Sequence, residues 1–92
     1  MNTDAPTIML PVSLRHDSAT AWLASIDAQK LHQTTVVLDA GQLTSFDSSA
    51  LACCLEVHRR VQAAGGILKL QGMPQPLQRL SQVYGLSELL VE

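Results

Sequence analysis

The segment VVLDAGQLTSFDSSALACCLEVHRRVQAAGGILKLQG, residues 36–72, reads as one complete strand–helix–strand unit. Its start belongs to a β-branched and aliphatic run, TTVVLDA (34–40), with the continuous apolar look of a central strand buried on both faces. After the loop GQLTSF, a helix is expected over 48–64. Leu51, Cys54, Leu55, His58 and Val61 lie on or near one stripe of it, and Glu56, Arg59, Arg60 and Ala63 fall on the other side. Gly65 and Gly66 stop the helix, because glycine accepts the left-handed backbone of a helix end. ILKLQG (67–72) follows as a second strand.

The flanking sequence repeats the pattern. TIMLPVSL (7–14) is a first strand, placed toward a sheet edge by Pro11. HDSATAWLASIDAQKL (16–31) is a first helix, with Asp17 and Ser18 as capping candidates and Ala19, Trp22, Leu23 and Ile26 at helical spacing. MPQPLQRLSQVYG (73–85) is a third helix, with Pro76 in its first turn, Leu77, Leu80 and Tyr84 on its buried stripe and Gly85 past its end. LSELLVE (86–92) closes as a short strand or a last helical turn. Alternating strands and helices define an α/β domain with a mainly parallel mixed sheet, its helices mostly on one face. Residues 1–6 are expected to be a flexible tail and 7–92 a single domain.

With 92 residues, 47% of them hydrophobic, the chain can form one aliphatic core but leaves little room for a deep substrate pocket as well. Its net charge of −2 and six scattered Lys and Arg give no track for a phosphate backbone, so nucleic acid is not an expected partner. No apolar run approaches the roughly 20 residues of a spanning helix. MNTDAPTIMLPVSL lacks a basic start and a long apolar stretch, so a cytoplasmic location is expected. Cys53 and Cys54 are adjacent and diverge on a helix, which reads as two small hydrophobes; a disulfide between copies requires an exposed Cys53.

The polar turn Asp47-Ser48-Ser49 is the remaining candidate for function. Nucleophilic catalysis at Ser48 or Ser49 needs a base within hydrogen-bond reach. His58 lies about ten residues along the same helix, roughly 15 Å away. No G-x-S-x-G elbow surrounds either serine, and the phosphate-binding glycine motifs are absent. Cys54 and His58 share a helix face, but two ligands do not close a zinc site. The expectation is therefore no enzyme, no metal and no cofactor. Asp47 or Ser48 caps the helix. Beyond that, Ser49, Ala52 and Cys53 are expected on an outward stripe with Glu56 and Arg60, forming a shallow face that a partner's backbone can approach. A phosphate on Ser48 would sit at the positive end of the helix dipole. Trp22 is a core residue or an anchor at the rim of a contact.

The strand ending VVLDA, the apolar residue before Asp47, the D-S-S-x-L turn, the helix ending in GG and the Leu, Tyr-Gly-Leu pattern near the end resemble the STAS domain, over residues 34–90. That fold is shared by anti-sigma factor antagonists and the tails of sulfate transporters. In the antagonists the serine after the Asp is phosphorylated by a partner kinase, a role that falls on Ser48. They usually have Gly where this chain has Ala50. LPVSL leading directly into a helix is more similar to the stand-alone STAS subunit of the Mla-type ABC transporter, which handles phospholipids in Gram-negative envelopes. That resemblance implies an accessory subunit that binds and supports an ATPase at the cytoplasmic face of the inner membrane, with Ser48 at the contact. The contact face implied is Asp47, Ser48, Ser49, Ala52, Cys53, Glu56 and Arg60. The alternative is an anti-sigma factor antagonist regulated by phosphorylation of Ser48.

Overall fold

The structure is a computed structural model and describes residues 6–83 and 90–91. A parallel sheet has the order β1 (Thr7–Met9), β3 (Thr35–Asp39), β5 (Ile67–Gln71), β6 (Leu90–Val91). β1 leads through α1 (Ala19–Ala24) to β3, β3 through α2 (Ser48–Ala63) to β5, and β5 through α3 (Gln75–Val83) to β6. The order never reverses. Successive crossovers of one hand that advance in one direction deposit all their helices on the same face. That explains the burial of the strands. Ile8, Leu38 and Leu70 are in register across the sheet and buried, as are Val36 and Leu68. Their neighbours Thr7, Met9, Ile67, Lys69 and Gln71 are exposed on the other face.

The fold class read from the sequence holds, and every pairing among the described residues is parallel. Within it, several expectations change. The central strand is covered on one face only: Val36 and Leu38 are buried, whereas Thr35, Val37 and Asp39 are half-exposed. The first strand is split at Pro11, and its second half pairs elsewhere. β2 (Ser13–Leu14) lies parallel to β4 (Ser45–Phe46), a stretch expected as loop. Of the closing segment, Leu90–Val91 form the strand β6, parallel to β5. Pro6, assigned to the tail, is held by its carbonyl, which accepts from the Val37 amide at 2.9 Å. Residues 1–5, Tyr84 and Gly85 lie outside the described residues.

The first helix is shorter than its apolar spacing implies. α1 ends at Ala24, and a 3-10 turn, Ala28–Leu31, follows. Two polar side chains divide them. The Ser25 hydroxyl donates to the Trp22 carbonyl at 2.6 Å, a local bond that competes with helix propagation. The Asp27 carboxylate caps the new turn by accepting from the Gln29 amide at 2.9 Å. Ser18 occupies the cap position of α1 without a side-chain capping bond; its hydroxyl accepts from the Arg15 amide.

α2 is the longest helix, and its end shows why the sequence carries two glycines. The Gly65 amide donates to the Gln62 carbonyl and the Gly66 amide to that of Val61, with Gly65 at φ 87°. This is the paired-bond helix stop that a left-handed residue permits. Gly66 has a different reason: a Cβ there would lie 2.2 Å from the Gln33 carbonyl oxygen. Its bare backbone lets the start of β5 approach the start of β3, where the Ile67 amide donates to the Thr34 carbonyl.

Candidate functional site

The small β2–β4 ladder builds the site. After leaving the main sheet, the chain segments following β1 and β3 pair again at Ser13↔Ser45 and Leu14↔Phe46. Each then runs straight toward a helix, β2 into the Arg15–Ser18 loop before α1 and β4 through Asp47 into α2. Two stretches 32 positions apart are thereby placed side by side.

Asp47 joins them. One carboxylate oxygen accepts from the Ser49 amide at 2.8 Å, capping α2, and the other accepts from the His16 amide at 3.0 Å. These amides, His16 first and Ser49 second, hold the Asp47 carboxyl below its ordinary range. The Arg15 guanidinium lies over the same corner, donating to the Ser45 hydroxyl at 3.4 Å and the Phe46 carbonyl at 3.5 Å. Sequence reading assigned no role to Arg15 or His16. No local pattern marks them, because their placement arises from a parallel pairing of two dipeptides.

Ser48 is the first residue of α2 and is exposed; Ser49 is half-buried. Among the described residues no imidazole hydrogen-bonds to Ser48. Asp47, engaged by two amides and made less basic by them, is poorly placed to take a proton from it. The turn therefore displays a hydroxyl at a helix N-terminus with no activating group among the described residues.

Along α2 the exposed face continues through Ala52 to Glu56, Arg59 and Arg60. Glu56 and Arg60 were expected together on the outward stripe. Glu56 engages both arginines: one oxygen accepts from the Arg59 guanidinium and the other from Arg60 Nε at 2.9 Å. The two guanidinium groups hold the Glu56 carboxyl below its usual range. Arg60 is twelve residues beyond Ser48, about 18 Å along the axis. Arg15, by contrast, lies at the serine corner.

Cys53 does not belong to this face. It is 1% exposed, with its sulfur 4.0 Å from the Ala19 carbonyl oxygen. α1 packs along that flank of α2 and widens the buried stripe to include Ala50, Cys53 and Val57 beside Leu51, Cys54, His58 and Val61. The expected outward stripe was drawn without α1. Burial raises the thiol pKa of both cysteines, that of Cys54 to about 12. Among the described residues no group of three His, Cys, Asp or Glu side chains is placed to hold a metal ion.

The monotonic strand order also decides the shape of the site. Open sheets form ligand crevices where strand order reverses, and this sheet has no such reversal among its described strands. A one-directional series of parallel β–α units, covered on one face and displaying an Asp-Ser-Ser turn at the second helix, defines a domain of the STAS type.

The chain belongs to the STAS-domain family: the family model described as "Mlab, STAS domain" matches residues 1–92. Among solved structures it is similar to a candidate anti-sigma factor antagonist of Thermotoga maritima. That match has a TM-score of 0.71 and 16% identity, covering 92% of this chain and 77% of the other. It is also similar to the anti-sigma factor antagonist SpoIIAA in its unphosphorylated form. There the TM-score is 0.69 and the identity 23%, over 100% of this chain and 83% of the other. At these identities the likeness establishes the shared fold. No curated protein matches the sequence significantly.

Proposed function

We propose that this chain is a non-catalytic docking domain. Its contact surface is the start of α2, Asp47, Ser48 and Ser49, continued by Ala52, Glu56 and Arg60. The observation that carries this reading is the state of the corner: Ser48 is presented to solvent while Asp47 is committed to two backbone amides. Such a group can be recognised or modified by another protein and is badly equipped to react unaided. Cys53, buried beneath α1, supports the surface from below.

The partner class favoured by the structural neighbours is an anti-sigma factor, with Ser48 as the residue it phosphorylates. A phosphate there would occupy the first position of α2, where the helix dipole and Arg15 favour added negative charge. The second reading is favoured by the family description, which names MlaB. On it, the same surface binds and supports the ATPase of a lipid-transport ABC system that maintains outer-membrane lipid asymmetry. Binding would take place at the cytoplasmic face of a Gram-negative inner membrane.

Ser48→Arg tests the surface and Ser48→Ala separates the partners. Ser48→Arg should keep the wild-type unfolding midpoint and lose whichever protein co-purifies with the wild type from the native host. Retained co-purification by the folded variant would refute the docking site. On the antagonist reading, incubation with the co-purified kinase and ATP adds one phosphate to the wild type and none to Ser48→Ala. On the transporter reading, the co-purified protein is an ATPase and no phosphate is added.

A further inference from the structure

We propose that the free edge of β1 is a self-association site, and that two copies of this chain pair antiparallel there across a two-fold axis. Among the described strands β1 is a terminal one. The bonds at its two ends fix which of its backbone groups are in use. The Val37 amide donates to the Pro6 carbonyl, and the Leu10 amide donates to the Asp39 carbonyl at 2.8 Å. In a parallel ladder alternate residues face the neighbouring strand, so Pro6, Ile8 and Leu10 face β3. The N–H and C=O groups of Thr7 and Met9 therefore point away from the sheet, and they have no partner among the described residues.

This set of groups complements itself. With the axis at Ile8, the Thr7 amide of one copy donates to the Met9 carbonyl of the other, and the Met9 amide to the Thr7 carbonyl. Repeated by symmetry, that makes four bonds, a hydrogen-bonded pair of the antiparallel type on each side of the axis. The contact closes because Pro11, the next outward position after Thr7 and Met9, has no amide to extend the ladder. An isologous contact that ends in this way gives a dimer and no filament.

The surroundings of the edge fit the same occupant. A groove of about 350 Å³ runs beside β1, bounded on its far side by Trp22, Ser25, Ile26, Asp27 and Lys30. Its rim carries one acid and one base, a pair that a two-fold axis can set in opposition, acid to base, in both directions. Lys30 has no ion-pair partner among the described residues. Met9, 50% exposed on the uncovered face of the sheet, would be screened by the second copy. The site uses none of the α2 residues proposed for docking, so dimer formation and partner binding are separate properties.

Sedimentation equilibrium and amide hydrogen exchange by NMR test the proposal on the full chain. At about 1 mM, where a small contact is populated, the mass should approach twice that of the chain. The Thr7 and Met9 amides should gain protection as concentration rises, while the Ile8 amide stays protected throughout. Met9→Pro removes an outward amide that the single copy does not use and should remain monomeric. Lys30→Glu, at an exposed position, should weaken the dimer at low salt, which provides a second variant if Met9→Pro fails to fold. A monomeric mass at that concentration, or a dimer in which the Thr7 and Met9 amides exchange as freely as in dilute solution, would overturn the proposal. So would protection of those amides that requires an added protein and never appears in the chain alone.

Discussion

Substituting alanine for each of the two adjacent glycines separates two physical reasons for conserving space and conformation at the end of α2. At Gly65 a Cβ would have nothing within 4 Å, so the only penalty is the left-handed backbone, φ 87°. That costs an L-residue about 1–2 kcal/mol. At Gly66 the Cβ would stand 2.2 Å from the Gln33 carbonyl oxygen and 3.2 Å from both the Thr34 oxygen and a Val61 methyl. Backbone must move, since none of the first two contacts is a flexible side-chain tip. Overpacking of this kind costs about 1–3 kcal/mol. The shift also strains the bond from the Ile67 amide to the Thr34 carbonyl that opens the β3–β5 ladder, worth about 1 kcal/mol more. The sum for Gly66→Ala is about 2–4 kcal/mol. With a urea slope of about 1 kcal/mol per molar for a small domain, Gly66→Ala should lower the midpoint by about 2 M or more, and Gly65→Ala by about 1–2 M. Urea unfolding followed by circular dichroism measures both. The reasoning fails if Gly65→Ala proves the more damaging of the two.

Ala52 and Cys53 provide a second contrast between neighbours. Ala52→Arg should change stability by no more than about 0.5 kcal/mol, as an exposed substitution does. Cys53→Arg forces an unpaired guanidinium beneath α1 and should abolish cooperative unfolding; a folded Cys53→Arg would contradict the packing. The thiols should be silent toward a thiol reagent in the native protein and both react in urea, and a non-reducing gel should show no disulfide-linked dimer. Rapid labelling of native Cys53 would show that α1 does not cover it. Asp47 sets an acid limb. Its folded pKa is depressed, so its contribution is fully present above the unfolded value near 3.8 and is lost as pH falls through the folded one. Stability should be insensitive to this group near neutral pH and decline below about pH 4, and Asp47→Asn should flatten that decline. An identical acid limb in Asp47→Asn would dismiss the two amide bonds as its origin.

The elements legible in the sequence were those whose signal is local. α2 was bounded by the Asp47 turn and the paired glycines, and β3 and β5 by compact aliphatic runs. What was hidden depended on neighbours distant in the chain. Val37 and Ile67 are as apolar as Val36 and Leu68, and only the winding of the sheet decides which of them is covered. Cys53 looked outward because a single helix contains no record of α1 lying against it. The clasp of Asp47 on the His16 amide uses backbone, which has no sequence signature. Ser25 and Asp27, which interrupt the first helix, were visible but were outweighed by the spacing of Trp22, Leu23 and Ile26.

The unreversed order of the strands has a consequence for how the chain reaches this structure. β3 pairs with the strand of the preceding unit, and β5 and β6 do the same in turn. During synthesis each unit therefore emerges beside a neighbour already made, and no strand must wait for a later one to be inserted between it and its partner. Such nearest-neighbour growth holds each paired strand one β–α unit from its partner and lets the sheet be extended unit by unit as the chain emerges.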